Sequence, residues 1–482
     1  MTMPVDKSAT FLSGFQLPVR EQRSIQLKVQ GKIPEWLSGT FLRNGPALFK
    51  LPHQNVQHYF DGLALLQSYQ IARGAVEFST SFLQSNAYKS AMKRGALEFG
   101  EFGTAQKRNI VEKISELFTP HLTDNANVNL MPWANELVAM TETCNQLRVS
   151  VKQLETLGPV NYEDKLSGPI TTAHPHFDSE HKLLVNFLLS VSKDCHYNIY
   201  TLPLGSAKRQ LIASVKRANP AYIHSFALTP RYVILVEYPL LLKPLELAFS
   251  DQAYIQNYHW RSGAATHYLV IDRENGALVG DFEQQTAFSF HQINAFQQEH
   301  KIFLDACVYD DSSIVDAFYF HRLFAQTKFP RARIERVCLD LKNRTTSTET
   351  LLNEPFEFPR INYQSRSGLD YAVVYGAGQA PAFNGADFLN CLNKFQLKSG
   401  TLKQWYESRC YPGEPIFIPH PESVTEDNGV VLSVVLSFNI SADQPESFLL
   451  FLDALTFTEV ARATLPEPLP FALHGLFLEE RS

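Results

Sequence analysis

Four histidines that lie far apart in the chain share one setting, because each stands at the edge of a short apolar stretch. They are His174 in TTAHPHFD, His224 in AYIHSFALTP, His291 in FSFHQINAF and His474 in FALHGLFLEE. Histidine is the commonest side chain that binds iron, copper or zinc in proteins. The chain contains 15 histidines, so the prediction of a metal site depends on these four coming together.

Three glutamates stand in similar stretches: Glu142 in AMTETC, Glu357 in FEFPRIN and Glu414 in GEPIFIPH. A histidine that binds a metal usually donates its other ring N–H to a carboxylate or a carbonyl, which fixes the tautomer and the direction of the ring. Nitrogen ligands without thiolates favour iron, copper, nickel or zinc over calcium or magnesium. The residues therefore indicate a transition-metal site of four imidazoles, with three carboxylates that orient the rings and offset the charge of the ion.

The wide spacing of the histidines limits the fold that can assemble such a site. A zinc finger or an HExxH helix holds its ligands a few residues apart, whereas each of these histidines must come from a different supersecondary unit. A β-propeller does this, because every blade sends an inner strand towards one axis. Strand-length apolar runs bounded by turn residues recur along the chain, for example at 182–191, 231–238 and 430–438, and they favour a propeller, a sandwich or a barrel.

Two kinds of stretch depart from the strand pattern. Residues 86–98 and 108–118 have polar and apolar residues at helical intervals, which predicts helices packed on a sheet. The stretch YPLLLKPLELAF at 238–249 crowds leucines and aromatics around one lysine and two prolines. It is compatible with a buried connection or with an exposed apolar lip that meets lipid.

The composition excludes several classes of protein. Hydrophobic residues make up 45% and charged residues 19% of the 482 residues, which is typical of a globular chain. The formal charge of −6 argues against nucleic acid as a partner. The six cysteines form no CxxC pair, the N-terminus lacks the pattern of a signal peptide, and no apolar run approaches the ~20 residues of a membrane span. We therefore expect a cytoplasmic protein with reduced thiols, which can touch a membrane without crossing it.

Longer motifs around these residues resemble those of the carotenoid cleavage oxygenases. Besides the four histidine stretches, they include FLRNGPALF at 41–49, HYFDGLALL at 58–66 and DNGVVLSVV at 427–435. The resemblance runs from about Gly31 to Phe477. The stretches RGALEFGEFGTAQKRNI and TDNANVNL resemble the animal branch, which holds the β-carotene oxygenases and the retinoid isomerohydrolase of the retinal pigment epithelium.

The resemblance implies an all-β fold, a seven-bladed β-propeller with a helical and loop cap over the metal face. It implies a single domain over 1–482, with cap elements inserted at about 80–130 and 238–260. It also implies an Fe(II) ion on the axis, whose ligands and catalytic residues correspond to His174, His224, His291 and His474. By the same analogy, Glu142 would hold His224, Glu357 would hold His291 and Glu414 would hold His474, while His174 has no glutamate of its own.

The resemblance also implies parts of a substrate tunnel. Thr141 matches a threonine near an open coordination position, and Phe102 matches a tunnel aromatic, although ordinary core packing explains Phe102 equally well. Because carotenoids dissolve in lipid, the mouth of the tunnel should face a bilayer, which predicts peripheral contact with membrane lipid. We expect four leucines at that lip: Leu240, Leu241, Leu242 and Leu245.

The activity implied is that of a dioxygenase that uses O2 to cleave one C=C bond of a carotenoid or apocarotenoid into aldehydes. Similarity to the animal branch favours the central 15,15′ bond. One alternative is a stilbenoid-cleaving dioxygenase, which needs a tyrosine and a lysine around a phenol that are not assigned here. A second is a non-oxidative retinyl-ester isomerohydrolase, favoured by Thr141 and Phe102, and a third is a metal-bearing propeller that only binds.

Overall fold

The fold is a seven-bladed β-propeller, as predicted. The structure, a computed structural model, describes residues 10–106, 122–192, 194–244, 247, 250–325, 328–380, 388–438 and 445–480. Within these ranges the strands form seven antiparallel sheets, the blades, together with one small two-stranded sheet. The helix predicted over 108–118 and the predicted lip residue Leu245 lie outside the described residues.

The strands are short, as the runs of apolar residues between turn residues predict. In the first half of the chain they are β1 (Gln22–Gln26), β2 (Lys28–Gly31), β3 (Gly39–Leu48), β4 (Leu63–Ala72), β5 (Ala75–Phe82), β6 (Asn129–Trp133), β7 (Glu136–Met140), β8 (Leu147–Val149), β9 (Thr156–Pro159), β10 (Ile170–Thr171), β11 (His176–Asp178), β12 (Leu183–Ser190), β13 (Cys195–Pro203), β14 (Gln210–Arg217), β15 (Ala227–Leu228), β16 (Tyr232–Glu237), β17 (Leu240–Leu242) and β18 (Tyr258–Trp260).

The second half continues the pattern. Its strands are β19 (Thr266–Asp272), β20 (Leu278–Gln284), β21 (Gln292–Gln298), β22 (Lys301–Val308), β23 (Arg333–Asp340), β24 (Thr345–Leu352), β25 (Phe356–Arg360), β26 (Val373–Gly378), β27 (Cys391–Gln396), β28 (Thr401–Tyr406), β29 (Cys410–Pro412), β30 (Ile416–Pro419), β31 (Gly429–Ser437), β32 (Glu446–Asp453), β33 (Thr458–Thr464) and β34 (Gly475–Glu479).

The order of strands in the sheets follows the chain except where the ring closes. Blade 1 has the order β1-β5-β4-β3-β34, so its innermost strand comes from the far end of the chain. Blades 2 to 6 are β6–β9, β10–β14, β15-β16-β19-β20, β21–β24 and β25–β28. Blade 7 has the order β2-β33-β32-β31-β29, with β30 also paired to β31. Strands from near both ends of the chain therefore complete blades 1 and 7 and close the circle, a device that leaves propellers without long open edges.

Burial changes across each blade in the way the sequence pattern indicates. Strand β31, in the middle of blade 7, is buried at all but its last residue, whereas the outer strand β24 of blade 5 is mostly exposed. Neighbouring blades share their cores; for example, Val185 and Tyr197 of blade 3 pack with Val233 and Leu269 of blade 4. This continuous packing fixes the position of the inner strand ends.

Helices are few and short within the described part of the chain. α1 (Asn86–Arg94) begins after Ser85, whose hydroxyl accepts the Tyr88 N–H, and it ends at Gly95, which is left-handed with φ of 69°. The predicted helix at 86–98 is therefore real but shorter, because a left-handed glycine closes it. The others are α2 (Ser313–Ala317), α3 (Phe320–Leu323) and α4 (Tyr363–Arg366), with 3-10 turns at Thr10–Phe15, Tyr59–Asp61 and Tyr254–Asn257.

Three leucines of the stretch at 238–249 form β17 of the small sheet. The prediction that Leu240 and Leu242 belong to an exposed apolar lip is wrong, because both are buried. β17 pairs with β18, and the alternation of a strand directs Leu240 and Leu242 towards the largest core cluster, where they are 5% and 0% exposed. Leu241, between them, is half-buried and packs against the core shared by blades 3 and 4. The stretch begins as a buried connection.

A candidate metal centre at the hub

All seven blades contribute one side chain each to a cluster at the hub. His174 lies between β10 and β11 in blade 3, and His224 lies just before β15 in blade 4. His291 directly precedes β21 in blade 5, and His474 directly precedes β34 in blade 1. The histidines therefore stand at the inner strands of four blades, which explains how residues so distant in sequence meet.

The four imidazoles are gathered closely enough to share one ion. Their candidate ligand nitrogens all lie within 4.8 Å of one another. The Nε2 atoms of His174 and His224 are 3.0 Å apart, and those of His291 and His474 are 3.3 Å apart. His224, His291 and His474 are buried, while His174 is half-buried.

The three glutamates come from the remaining blades. Glu142 follows β7 in blade 2, Glu357 lies in β25 of blade 6, and Glu414 lies between β29 and β30 in blade 7. A carboxylate oxygen accepts the Nδ1–H of one imidazole in each pair: Glu142 from His224 at 2.7 Å, Glu357 from His291 at 2.6 Å and Glu414 from His474 at 2.9 Å. These are the three pairs that the resemblance to the carotenoid cleavage oxygenases implies.

His174 is held differently. Its backbone N–H donates to the Thr172 hydroxyl at 3.0 Å, and that hydroxyl in turn donates to the backbone carbonyl of His224. Within the described residues, no carboxylate forms an ion pair with the His174 ring. The Thr172 hydroxyl therefore holds the backbone of His174 and links it to the backbone of His224.

The hydrogen bonds to the glutamates provide a test of whether this donor set fits a metal ion. Because the Nδ1 of His291 and of His474 must carry a proton to donate to a carboxylate, the Nε2 atom of each neutral ring holds a lone pair. Those two Nε2 atoms face each other at 3.3 Å with no proton to share. Lone pairs in this arrangement repel unless a cation lies between them, so the geometry fits a bound metal ion.

Burial keeps the imidazoles in the neutral form that a metal needs. It lowers the pKa of His174 well below its ordinary value, lowers that of His224 despite Glu142, and lowers that of His474 to about 4 despite Glu414. Burial would raise the pKa of Glu414, but Arg360 and His474 outweigh it and hold the pKa at about 2. At neutral pH the site therefore combines the neutral imidazoles of His174, His224 and His474 with the ionised carboxylate of Glu414.

A large cavity opens beside the histidines. It has a volume of about 1030 Å³, and His224, His291 and His474 lie in its wall. The volume is at the upper end of the range for small-molecule sites. Its wall also carries many aromatic side chains: Tyr59, Phe60, Phe99, Phe102, Tyr222, Tyr254, Phe290, Tyr309, Phe318, Phe329, Phe356, Phe358, Phe388 and Phe471. The cavity can hold a long apolar molecule next to the histidines.

The two predicted tunnel residues both face this cavity. Thr141 is 8% exposed and Phe102 is half-buried, and both belong to the cavity wall. The Phe102 ring also lies 5.3 Å from the ring of Phe60 and 6.0 Å from that of Tyr222. Phe102 is thus a packing residue and a wall residue at once. The proposed cap ranges contribute as well, since residues 94–106, 122–128 and 244–257 include parts of the wall.

Three partners of the glutamates were not found by sequence reasoning. The Tyr222 hydroxyl donates to Glu142 at 2.7 Å, the Tyr309 hydroxyl donates to Glu357 at 3.0 Å, and the Arg360 Nε lies 3.2 Å from Glu414. Tyr222 and Arg360 stand within the same short motifs as His224 and Glu357. The motifs therefore contain both residues, but the sequence alone does not indicate that their side chains bind a glutamate.

No helix in the described ranges combines the length and the apolar character that crossing a bilayer requires.

The chain matches known proteins along nearly its whole length. A family model described as retinal pigment epithelial membrane protein (RPE65) matches residues 16–479. A carotenoid isomerooxygenase of Galleria mellonella is 31% identical, over 94% of this chain and 93% of that protein. The β,β-carotene 15,15′-dioxygenase of Homo sapiens is 30% identical, over 95% and 92% respectively.

A solved structure has the same fold. A glutamate-to-glutamine variant of the apocarotenoid oxygenase of Synechocystis superposes with a TM-score of 0.86 over 98% of both chains, at 25% sequence identity.

Proposed function

The chain belongs to the family of the retinal pigment epithelial membrane protein and the carotenoid oxygenases, and from this premise we propose that it is an iron(II)-dependent dioxygenase that cleaves a C=C bond of a carotenoid or apocarotenoid. One observation supports the proposal most directly. The ligand nitrogens of four imidazoles lie within 4.8 Å of one another, and three of these rings stand in the wall of a cavity rich in aromatic side chains. Such a centre can act on an apolar polyene that offers no ligand atom to a metal.

The proposed metal ligands are His174, His224, His291 and His474, and Glu142, Glu357 and Glu414 hold three of these rings. A bound iron(II) ion would supply the activation of O2 beside the substrate. Burial keeps the rings of His174, His224 and His474 neutral. The three glutamates accept hydrogen bonds from the Nδ1–H groups of their histidines, which directs the Nε2 lone pairs of those rings inwards. The protein thereby presents a preorganised site. Its carboxylates, each hydrogen-bonded to a proposed ligand histidine, balance the charge of the ion.

The cavity wall binds and orients the substrate in this proposal. Removing a few hundred Å2 of polyene from water contributes several kcal/mol at ~25 cal/mol per Å2. The aromatic faces exclude water and can stabilise positive charge that develops along the polyene. We propose that Phe102 positions the polyene. We propose that Thr141 contacts the substrate in the part of the wall next to Glu142.

Relatives guide the choice of substrate. The human protein is named for cleavage at the 15,15′ bond, and the Synechocystis protein is named for apocarotenoids. We propose oxidative cleavage of a molecule of this class, with the central bond as the first position to test. Hydrolysis and isomerisation of retinyl esters is the second candidate, because the matching family model bears the name of the retinal pigment epithelial protein.

We also propose that the chain works as one domain and touches lipid at its periphery. Closure of the ring by β3 with β34 and by β2 with β33 supports a single unit over 1–482. Carotenoids dissolve in lipid, which supports membrane contact near the cavity. Leu247, which lines the cavity, is a better candidate for that contact than the buried Leu240 and Leu242.

The test is anaerobic loading with iron(II), followed by incubation with β-carotene, apocarotenals, retinyl esters and stilbenes. Products are identified by mass after reaction in labelled O2. Labelled aldehydes from a polyene are expected, and the His291→Ala protein should give none. Release of retinol from a retinyl ester without O2 uptake would favour the second candidate. Iron-loaded protein that converts no substrate of the panel would contradict the proposal.

A further inference from the structure

The three histidine–glutamate pairs at the hub differ in the charge of their other partners. Glu142 accepts a hydrogen bond from the Tyr222 hydroxyl at 2.7 Å. Glu357 accepts one from the Tyr309 hydroxyl at 3.0 Å and one from the Phe358 backbone N–H at 2.8 Å. Among the described residues, neither carboxylate has an arginine or lysine within ion-pair distance. Both pairs are therefore supported by neutral donors.

Glu414 is the exception. Its Oε1 lies 2.9 Å from the Nδ1 of His474 and 3.2 Å from the Nε of Arg360, so a ring N–H and a guanidinium share one oxygen. Its Oε2 accepts the Gly475 backbone N–H at 2.8 Å. A second guanidinium, that of the buried Arg43, also acts on Glu414 through its charge.

We infer that Arg360 is a positioning residue that weakens the electron donation of His474 through Glu414 and thereby favours the divalent over the trivalent state of the bound iron. A carboxylate that accepts the Nδ1–H of a ligand histidine raises the basicity of that ring. A guanidinium on the same oxygen weakens the carboxylate as an acceptor and so reduces this gain in basicity. Its positive charge also opposes a further positive charge on the metal. The inference rests on the proposed iron site but not on the identity of the substrate.

Arg360 can be changed with less damage than Arg43. Its side chain is 24% exposed, and its guanidinium lies 5.7 Å from the centre of the Tyr363 ring. Arg43 is 2% exposed and donates to the carbonyl of Leu473 at 3.1 Å. Loss of Arg43 would disturb the backbone that carries His474. Arg360 also donates to the Gly475 carbonyl, so the comparison of Arg360→Gln with Arg360→Lys, which both keep a donor, is needed to separate the effect of charge from that of this contact.

The experiment compares iron-loaded variants at one fixed solution potential, set by redox mediators, with ferric iron measured by electron paramagnetic resonance. Arg360→Met and Arg360→Gln remove the charge, and the glutamine keeps a hydrogen-bond donor. Both should raise the Fe(III):Fe(II) ratio about tenfold, which equals a potential about 59 mV lower for one electron. Arg360→Lys keeps the charge and should stay within about threefold of the wild type.

Arg336→Met is the matched control. Arg336 binds the fully buried Asp305 through two hydrogen bonds of 2.7 Å, and among the described residues neither side chain is hydrogen-bonded to one of the seven hub residues. Its loss should lower the melting temperature without changing the Fe(III):Fe(II) ratio. An unchanged ratio in Arg360→Gln, or an equal change in Arg336→Met, would overturn the inference. Wild-type protein that binds no iron would instead overturn the proposed function.

Discussion

The two sides of the cavity are built in different ways. The metal side consists of polar residues at the inner strands and strand ends of the blades, and each of its glutamates has at least two hydrogen-bonding partners. The rest of the wall, the aromatic side, is rich in aromatic residues from the connections between strands, such as Phe60, Phe318 and Phe388. The ring of blades fixes the chemistry, while the connections shape the space for the substrate, a division common to enzymes built on rigid scaffolds.

Contacts between rings hold much of the aromatic side, together with hydrogen bonds such as that from the Tyr59 hydroxyl to the Phe471 carbonyl at 2.6 Å. The ring of Phe318 lies 5.4 Å from that of Phe60 and 6.0 Å from that of Phe329, and Phe388 lies 5.2 Å from Phe471. Such contacts tolerate changes of size better than a buried ion site tolerates loss of a ligand. We therefore expect substitutions on the metal side to abolish function, and substitutions on the aromatic side to alter it by degree.

The largest effect is expected for His291→Ala. Removal of one imidazole should reduce bound iron to a small fraction of the wild-type content and abolish turnover, as measured by metal analysis of purified protein and by product formation. His176→Ala is the control, because His176 donates to the Phe226 carbonyl at 2.8 Å and lies outside the cluster of four. Full iron content in His291→Ala would remove that residue from the proposed ligands.

A smaller effect is expected for Glu414→Ala. The His474 ring would lose the acceptor that fixes its tautomer, so the affinity for iron should fall by about 10–100-fold, as measured by competition with a chelator. Glu407→Ala removes a carboxylate that pairs with Arg462 at 2.6 Å at the protein surface, and it should leave the affinity unchanged. Equal affinities in the Glu414→Ala and wild-type proteins would contradict the assigned role.

On the aromatic side, Phe102→Ala should leave iron content unchanged. Loss of one ring contact should lower kcat/KM for the polyene by about 2- to 12-fold, the amount expected for ~0.5–1.5 kcal/mol. Phe303→Ala is the comparison, because Phe303 pairs with Phe296 at 5.2 Å within blade 5 and is not part of the cavity wall. Loss of iron from Phe102→Ala would mean that the two sides are not separable.

The smallest effect concerns pH and the loop that carries Phe102. Asp61 is fully buried and accepts the Gly103 N–H at 2.9 Å, and burial raises its pKa to about 7. Because its folded-state pKa lies above its unfolded value, Asp61 contributes stability at low pH that is lost as pH rises from about 4 through 7. The melting temperature of Asp61→Asn minus that of the wild type should therefore increase by ~2 °C as the pH rises from 5 to 8. A difference that stays constant over this range would contradict the raised pKa.

The sequence predicts the hub better than its surroundings. Motifs indicate the four histidines and three glutamates, because each stands in a stretch whose pattern marks a strand end. Tyr222, Tyr309 and Arg360 escape prediction, because their roles depend on which oxygen they reach across blades. The prediction of an exposed lip at Leu240 and Leu242 is wrong for a related reason. The pairing of β17 with β18 decides which face of the strand is buried, and the sequence alone does not reveal that pairing.

The closing strand of blade 1 has a consequence for biosynthesis. His474 precedes β34, which pairs with β3 near the other end of the chain, and chains emerge from the ribosome with the N-terminal part first. Blades 3 to 5 can therefore present three imidazoles before the fourth has been translated. The proposed coordination of iron by all four histidines requires ring closure, which would make metal loading a late step of maturation that reports whether the whole circle has formed.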